Sequence, residues 1–557
     1  MTKKWFQDSV IYQIYPRSFQ DSNHDGIGDL NGIKERLDYL KKLGVDVLWL
    51  NPIYASPDKD NGYDIADYQK IQPAYGTMAD FEALLAAMHQ KGMKLLMDLV
   101  VNHTSDQHQW FQESQKGQDN PYFDYYIWRD PVDGHEPNNW GAYFGGSAWT
   151  YVPARKQYYL HLFAPGQPDL NWENPKVRQS VYQIMRFWLD KGIDGYRMDV
   201  INLISKPVGL PDAPQAKGAA YGNVEKVVAD GPKLNQYLKE MNREVLSHYD
   251  VMTVGEMPGS SPEDAKNYTS LDGTELNMVF QFQHVDLAPN PDARFGKWND
   301  EPVQLPELKQ ALGRWQTALD GIGWNSLYWN NHDQPRAVSR FATDDPKYRV
   351  LAAKMLATTL HMLQGTPFVY EGEELGMTNV HYHAIDQYED LESLNAYQQF
   401  VDQEKAVAPT TMLRWLAHMS RDNARTPMQW DDTANAGFSD VTPWFALNPN
   451  YQAINAKAAL ADQNSVFYYY QKLIALRHRS DLIKLGHFEL LGADDPDIFA
   501  YHRHYDRQTL LVISNFTAQR LTRKFSYPED AKLLIGNYAD DQGNTLRPYE
   551  TKVYQYD

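Results

Sequence analysis

From the N-terminus to about residue 380, stretches with a helical spacing of apolar positions alternate with short, uninterrupted apolar runs. NGIKERLDYLKKLG (Asn31 to Gly44) runs into VDVLWL, FEALLAAMHQKG into MKLLMDLV, VYQIMRFWLDKG into IDGYRMDV, and MLATTLHMLQG into TPFVYEG. Each glycine stands where a left-handed helix C-cap belongs, and each following run reads as a parallel strand buried on both faces. VIYQIYPRSF at the start, VMTVGEM near 251, LNMVFQFQHV near 277 and WNSLYWNNHD near 324 complete eight strands in order. Helix and strand alternating in this way predict an α/β fold of the TIM (β/α)8 type.

Two regions depart from the rhythm. Thr104 to Asn174 is rich in Trp, Tyr, Asn, Gly and Pro, shows no helical period, and is far too long for a βα loop. Residues 104–174 are therefore read as a subdomain inserted after the third strand. From 481 to 557, alternating runs such as IFAYHRHY and TLLVISNF between turn-rich segments predict a C-terminal antiparallel β domain of sandwich type. Residues 1–103 and 175–480 remain for the barrel.

Composition narrows the chemistry. The 557 residues include no cysteine, which excludes a disulfide scaffold, a thiolate nucleophile and cysteine-ligated metals, and fits a reducing, cytoplasmic location. With 53 Lys plus Arg against 72 Asp plus Glu, the net charge of −19 repels phosphate backbones and acidic membranes, so nucleic acid is a poor partner and a small neutral substrate a better one. The first sixteen residues are too polar for a signal h-region, and no window approaches a membrane span. Oligomeric state is not legible; a monomer is the default.

In a barrel of this type the working residues stand at the C-terminal ends of the strands. The fourth strand ends with Arg197 and Asp199, the fifth with Glu256 and the seventh with His332 and Asp333. A lone Asp is usually a solvated charge, but three carboxylates at the same end of three strands would converge on one cleft. Arg197, two residues before Asp199, shares its face and can hold it ionised. With no thiol, nucleotide loop or Ser-His-Asp signature, glycoside hydrolysis fits best; a retaining pair needs one ionised and one protonated carboxylate about 5 to 5.5 Å apart.

The residues also carry a resemblance. DLVVNH (Asp98 to His103), GYRMDV (Gly195 to Val200), VGEMPG (Val254 to Gly259) and WNNHDQPR (Trp329 to Arg336) resemble, in order and spacing, the four motif regions of the α-amylase superfamily, glycoside hydrolase family thirteen. The likeness continues through DNGYD, PNNWGAYFGGSAW, QPDLNWENP and RDNARTPMQW, and is strongest to oligo-1,6-glucosidases and related α-glucosidases. It implies Asp199 as nucleophile, Glu256 as general acid/base and Asp333 as the carboxylate holding the sugar 2- and 3-hydroxyls. Arg197, His103 and His332 would be their partners. Asp60 and Arg421 would close the pocket around the non-reducing end, with Tyr63 and Phe163 supplying stacking or shape and Gln167 a polar contact. Taken without the resemblance, Tyr63 and Phe163 read as core packing and the two histidines as structural. Val200 is the position where α-1,6-specific members tend to carry Val; without the family it reads as barrel packing. Tyr196 (where Phe is commoner), Glu371 (where Gln is more usual) and His24 depart from the pattern.

DSNHDGIGD is a further motif. Asp21, Asn23, Asp25 and Asp29, with the Ile27 carbonyl and Gly26 at the turn, match the oxygen positions of a calcium loop, while position twelve is Gly32 rather than a bidentate Glu. One structural Ca²⁺ is expected, with Mg²⁺ competing; a metal-free Asx turn is the alternative. Other readings of the whole chain are a trehalose 6-phosphate hydrolase, an α-1,4-preferring α-glucosidase, a sucrose isomerase, or a non-enzymatic amylase-like scaffold. The stretch from Lys206 to Asp230 lacks the arginine-bearing run associated with the first, no arginine-rich loop of the isomerase kind is apparent, and the presence of the three acids argues against the last.

Overall fold

The computed structural model describes residues 3–117 and 119–557. Eight parallel strands form the central sheet: β1 (Ile11–Ile14), β2 (Val47–Leu50), β3 (Lys94–Val100), β4 (Gly195–Asp199), β5 (Met252–Glu256), β6 (Met278–Phe280), β7 (Ser326–Leu327) and β8 (Thr366–Tyr370). Their order is β6-β5-β4-β3-β2-β1-β8-β7, so the chain winds once around a barrel. The last gap is bridged by side chains: Ser326 Oγ donates to the Val279 carbonyl (2.7 Å) and the Tyr328 hydroxyl to that of Gln281 (2.5 Å). Between Leu96 and Met252 the sheet pinches around Gly195, where a Cβ would stand 1.9 Å from the Met252 carbonyl oxygen.

The helices wrap the barrel with their apolar faces inward. The first predicted helix is two pieces, Leu30–Glu35 and α1 (Leu37–Leu43), because Arg36 leaves helical geometry to donate to Gln20 and lie over the Trp430 ring. Gly44 ends α1 at φ 103°, the left-handed cap read from the sequence. Strands six and seven are shorter than expected. Gln283 N donates to Gln281 Oε1 (2.7 Å) and Asp333 N to Asn331 Oδ1 (2.8 Å), so local turns replace ladder bonds soon after Phe280 and Leu327. His332 and Asp333 therefore lie on the loop beyond β7, not on the strand.

Between β3 and the helix at Pro175–Asp190 lies a three-stranded antiparallel sheet of Trp128–Arg129, Gln157–Leu160 and Trp149–Val152. Its Trp140 and Trp149 share a buried cluster with Val200 and Leu203 from the loop after β4, tying this segment to the mouth of the barrel. The C-terminal sheet is antiparallel, β9 (His487–Leu491), β10 (Ile498–Tyr505), β11 (Gln508–Asn515), β12 (Lys532–Gly536) and β13 (Thr551–Tyr556), in the order β9-β10-β11-β13-β12, with a separate two-stranded piece. It packs on α2 (Leu305–Ala318) and α3 (Arg349–His361): Tyr501 donates to the Thr359 carbonyl and Arg503 to Gln316 Oε1. Among the described residues no helix is long and apolar enough to cross a membrane.

Candidate active site

Alternation along β4 puts Arg197 and Asp199 on one inward face. Arg197 is fully buried, and its Nη1 donates to Asp199 Oδ1 (2.6 Å) and to Asp98 Oδ1 (2.7 Å). Its Nη2 stands 2.7 Å from Glu256 Oε2, close in charge but outside hydrogen-bond alignment. Glu256, the last residue of β5, also accepts the Val200 backbone N–H (3.0 Å). Val200 adopts φ 34°, ψ 43°, a left-handed conformation that costs a β-branched residue on the order of 1–3 kcal/mol. That turn directs the N–H of the residue after Asp199 at the second carboxylate.

Asp333 is gripped from the other side by Arg425 Nη2 (2.7 Å), Arg421 Nη1 (3.2 Å) and His332 Nε2 (3.1 Å). Arg421 Nη2 stands 3.4 Å from Asp60 Oδ1, and Gln167 donates to Asp60 Oδ2 (3.0 Å). Tyr63 stacks on His332 with centroids 5.2 Å apart, and His103 Nε2 lies 3.1 Å from the Tyr63 carbonyl oxygen.

These surroundings divide the acids electrostatically. Burial raises Asp199 to about 7 and Glu256 to about 8, with Arg197 pulling both back and the neighbouring carboxylates pushing them up. Glu256 thus keeps its proton longer than Asp199, which has the hydrogen bond from Arg197. Asp333 goes the other way. Burial alone would raise it, but His332 and then Arg421 and Arg425 hold it well below the usual carboxylate range. His332 is itself pushed well below its ordinary value by burial, with Asp333 acting against that shift.

A cavity of about 620 Å³ opens over these groups, with Asp60, Tyr63, His103, Phe163, Asp199, Val200, Glu256, Asp333 and Arg421 in its walls. Arg197, Gln167 and His332 are fully buried behind it, where they hold wall residues instead of meeting the cavity; Gln167 supports Asp60. Phe163 stacks on Tyr143 at 5.0 Å and the guanidinium of Arg421 lies 4.8 Å over Phe144. Phe282, Phe295, Trp298 and Phe400 also line the cavity. The whole lining has eight Asp or Glu against three Arg or Lys.

The family model for the α-amylase catalytic domain matches residues 13–486. The chain belongs to the α-amylase family. An oligo-1,6-glucosidase of Halalkalibacterium halodurans is 56% identical over 100% of this chain and 99% of that protein. An α-glucosidase of Pediococcus pentosaceus is 55% identical over 100% and 99%. The crystal structure of a trehalose-6-phosphate hydrolase from Bacillus licheniformis, 48% identical, superposes with a TM-score of 0.92 over 99% of this chain and 100% of that one.

Within this α-amylase-family pocket three supporting residues escaped the sequence reading. Asp98, inside a quoted motif, accepts from Arg197, from Trp49 Nε1 (2.8 Å) and from Tyr63 (3.3 Å). Arg425 stands four residues after Arg421 in RDNAR, a spacing that placed both on one helical face and was the available signal. Asp390, which receives Arg421 Nη2 (2.5 Å) and Arg425 Nη1 (3.1 Å), lies in a loop with no motif of its own.

The calcium-like loop lies apart, between β1 and the helix at Leu30. Asn23, Asp25 and Ile27 N–H groups donate in turn to the side chains of Asp21, Asn23 and Asp25, a succession of Asx turns with His24 at φ 65° and Gly26 at φ 87°. Asp21 accepts from three backbone N–H groups and from Ser439, while Asp29 accepts from Ser22 and caps the following helix through Gly32 N. The donor set is all oxygen, the chemistry of a hard cation. The same hydrogen bonds already order the loop.

Proposed function

We propose that this chain is a retaining, exo-acting α-glucosidase that hydrolyses terminal α-1,6 bonds of isomaltose and short isomalto-oligosaccharides. The observation that carries the reading is the pair Asp199 and Glu256 sharing Arg197 in the wall of one cavity. Two acids on one guanidinium suit the narrow separation of a retaining pair better than the wider gap that houses an attacking water. Asp199, the more easily ionised, attacks the anomeric carbon while Glu256, the more readily protonated, gives its proton to the leaving oxygen. Glu256, now a carboxylate, then takes a proton from the water that releases glucose. Asp333, fixed as an anion by two arginines, holds the ring hydroxyls and favours the positively charged transition state. The Asp60–Arg421 pair blocks the space beyond the terminal sugar, which supports removal of one glucose at a time.

The linkage preference rests on Val200. A stiff apolar side chain beside the nucleophile crowds the short α-1,4 link and tolerates the longer α-1,6 one. A phosphorylated disaccharide fits the lining poorly. The lining cations are already matched, Lys297 by Glu392 at 2.6 Å, Arg294 by Asp292 at 2.6 Å and Arg421 by Asp60 and Asp333, and the remaining lining charges are acidic. We include in this reading one Ca²⁺ held by Asp21, Asn23, Asp25, the Ile27 carbonyl and Asp29, with Mg²⁺ competing, and a cytoplasmic location consistent with the absence of cysteine.

Comparing kcat/KM for isomaltose, maltose and trehalose 6-phosphate tests the proposal. Isomaltose should lead, and Val200→Thr should shift the isomaltose-to-maltose ratio towards maltose by an amount equivalent to about 1–3 kcal/mol. Leading turnover of trehalose 6-phosphate, or a maltose preference in the unmodified enzyme, would overturn the specificity.

A further inference from the structure

The C-terminal sheet carries a cluster that the hydrolytic pocket does not use. On β9 and β10, Glu489 pairs directly with His502 and His487 with His504. Residues two apart on a strand share a face, as do cross-strand partners, so these four side chains stand together on one side of the sheet. His502 Nδ1 is 2.9 Å and His504 Nε2 3.1 Å from a single atom, Glu489 Oε2. One nitrogen from each ring and that oxygen all lie within 4.8 Å of one another. His487 is drawn away, its Nδ1 meeting Asp320 Oδ2 at 2.6 Å.

The far side of each ring gives the independent observation. The remaining nitrogen of His502 lies 3.3 Å from the Tyr556 hydroxyl, and that of His504 lies 3.1 Å from the Thr509 hydroxyl. Metal-bound histidines characteristically anchor their outer N–H on such a polar group, which fixes the tautomer and aims the inner nitrogen. A simple ion pair would engage one histidine; here two rings, each held from behind, converge on one carboxylate oxygen. Side-chain exposures of 18% for His502, 43% for His504 and 57% for Glu489 leave the cluster open to ions and water.

We propose that Glu489, His502 and His504 form a surface site for a divalent transition-metal ion of the Zn²⁺ and Cu²⁺ class. The ion takes His502 Nδ1, His504 Nε2 and Glu489 Oε2, displacing the proton from between them, and water completes its coordination. Two imidazoles and one carboxylate select against Ca²⁺ and Mg²⁺, which prefer all-oxygen sites. An ion here ties β9, the edge strand, to β10, so binding stabilises the C-terminal sheet without touching hydrolysis.

Chelator-treated full-length protein should bind one equivalent of Zn²⁺ by calorimetry and melt at a higher temperature with Zn²⁺ than without. The Cu²⁺ form should show electron paramagnetic coupling to two nitrogens, and His502→Gln should leave one. The double variant His502→Ala/His504→Ala should lose saturable binding and the melting shift while hydrolysing isomaltose at the unmodified rate. Binding that survives in the double variant, or a Cu²⁺ spectrum without nitrogen coupling, would overturn the site.

Discussion

At the scale of single residues, Arg197 organises the chemistry: one buried cation meets Asp98, Asp199 and Glu256. Its presence two places before Asp199 was legible from strand periodicity, and Asp199 and Glu256 do end neighbouring strands, whereas Asp333 reaches the same cleft from the loop beyond β7. The left-handed turn at Val200 was not legible, since nothing in a β-branched residue announces positive φ. Tyr196 is explained by its hydroxyl, which donates to the Met185 carbonyl (2.8 Å) in the helix behind β4 and so meets its need for a partner where Phe would need none. The proton balance gives a testable profile. As pH falls through the value near 7, Asp199 gains a proton and ceases to attack; as it rises through the value near 8, Glu256 loses the proton that the leaving group needs. The profile of kcat/KM should be a bell whose alkaline limb disappears in Glu256→Gln. That variant should lose about 10²–10⁴-fold on isomaltose but far less in the glycosylation step of an activated aryl glucoside. Equal losses on both substrates would remove Glu256 from the acid role.

At the scale of elements, the helices and long strands followed from apolar spacing, whereas β6 and β7 shrank because Gln281 and Asn331 offer side-chain acceptors that outcompete the ladder. Asp390 was invisible for a related reason: its loop is placed by tertiary contacts to Arg421 and Arg425, not by local pattern. The loop from Asp21 to Asp29 is the opposite case, since its Asx turns follow from residue type at alternate positions. If it holds Ca²⁺, chelation should lower the melting temperature through loss of ligand from the folded state and leave the catalytic rate of surviving enzyme unchanged. Calcium should restore the melt in a concentration-dependent way, and Asp25→Ala should abolish that response. A melting curve indifferent to chelator and calcium would leave the hydrogen-bonded turns as the complete account.

At the scale of the whole molecule, the segment after β8 joins distant parts of the chain through three buried glutamates. Glu371 Oε2 accepts the Tyr15 backbone N–H (2.7 Å), and Glu374 Oε1 accepts the hydroxyls of Tyr12 on β1 (3.0 Å) and Tyr39 on α1 (2.6 Å). Glu373 Oε1 accepts from Tyr470 (2.6 Å), on the helix Val466–Arg479. Each keeps a second buried oxygen without a partner. Burial raises all three, Glu373 to about 7 from 4.5. For Glu373, a folded-state value above the unfolded one means the favourable contribution is complete below about pH 4.5 and is lost as pH rises through about 7. Asp333, held low by His332 and the arginines, and Asp390, held low by Arg421 and Arg425, act in the opposite sense and lose their contribution only on acidification. Glu373→Gln keeps an acceptor for Tyr470 but cannot ionise. Any packing cost of the amide is the same at every pH, so the informative quantity is how the variant's stability relative to the unmodified protein changes between pH 5 and pH 8. It should become more favourable at pH 8 by up to about 3 kcal/mol, the free energy of a shift from 4.5 to about 7. Chemical denaturation at the two pH values measures it, and a difference that does not change with pH would place the titrating group elsewhere.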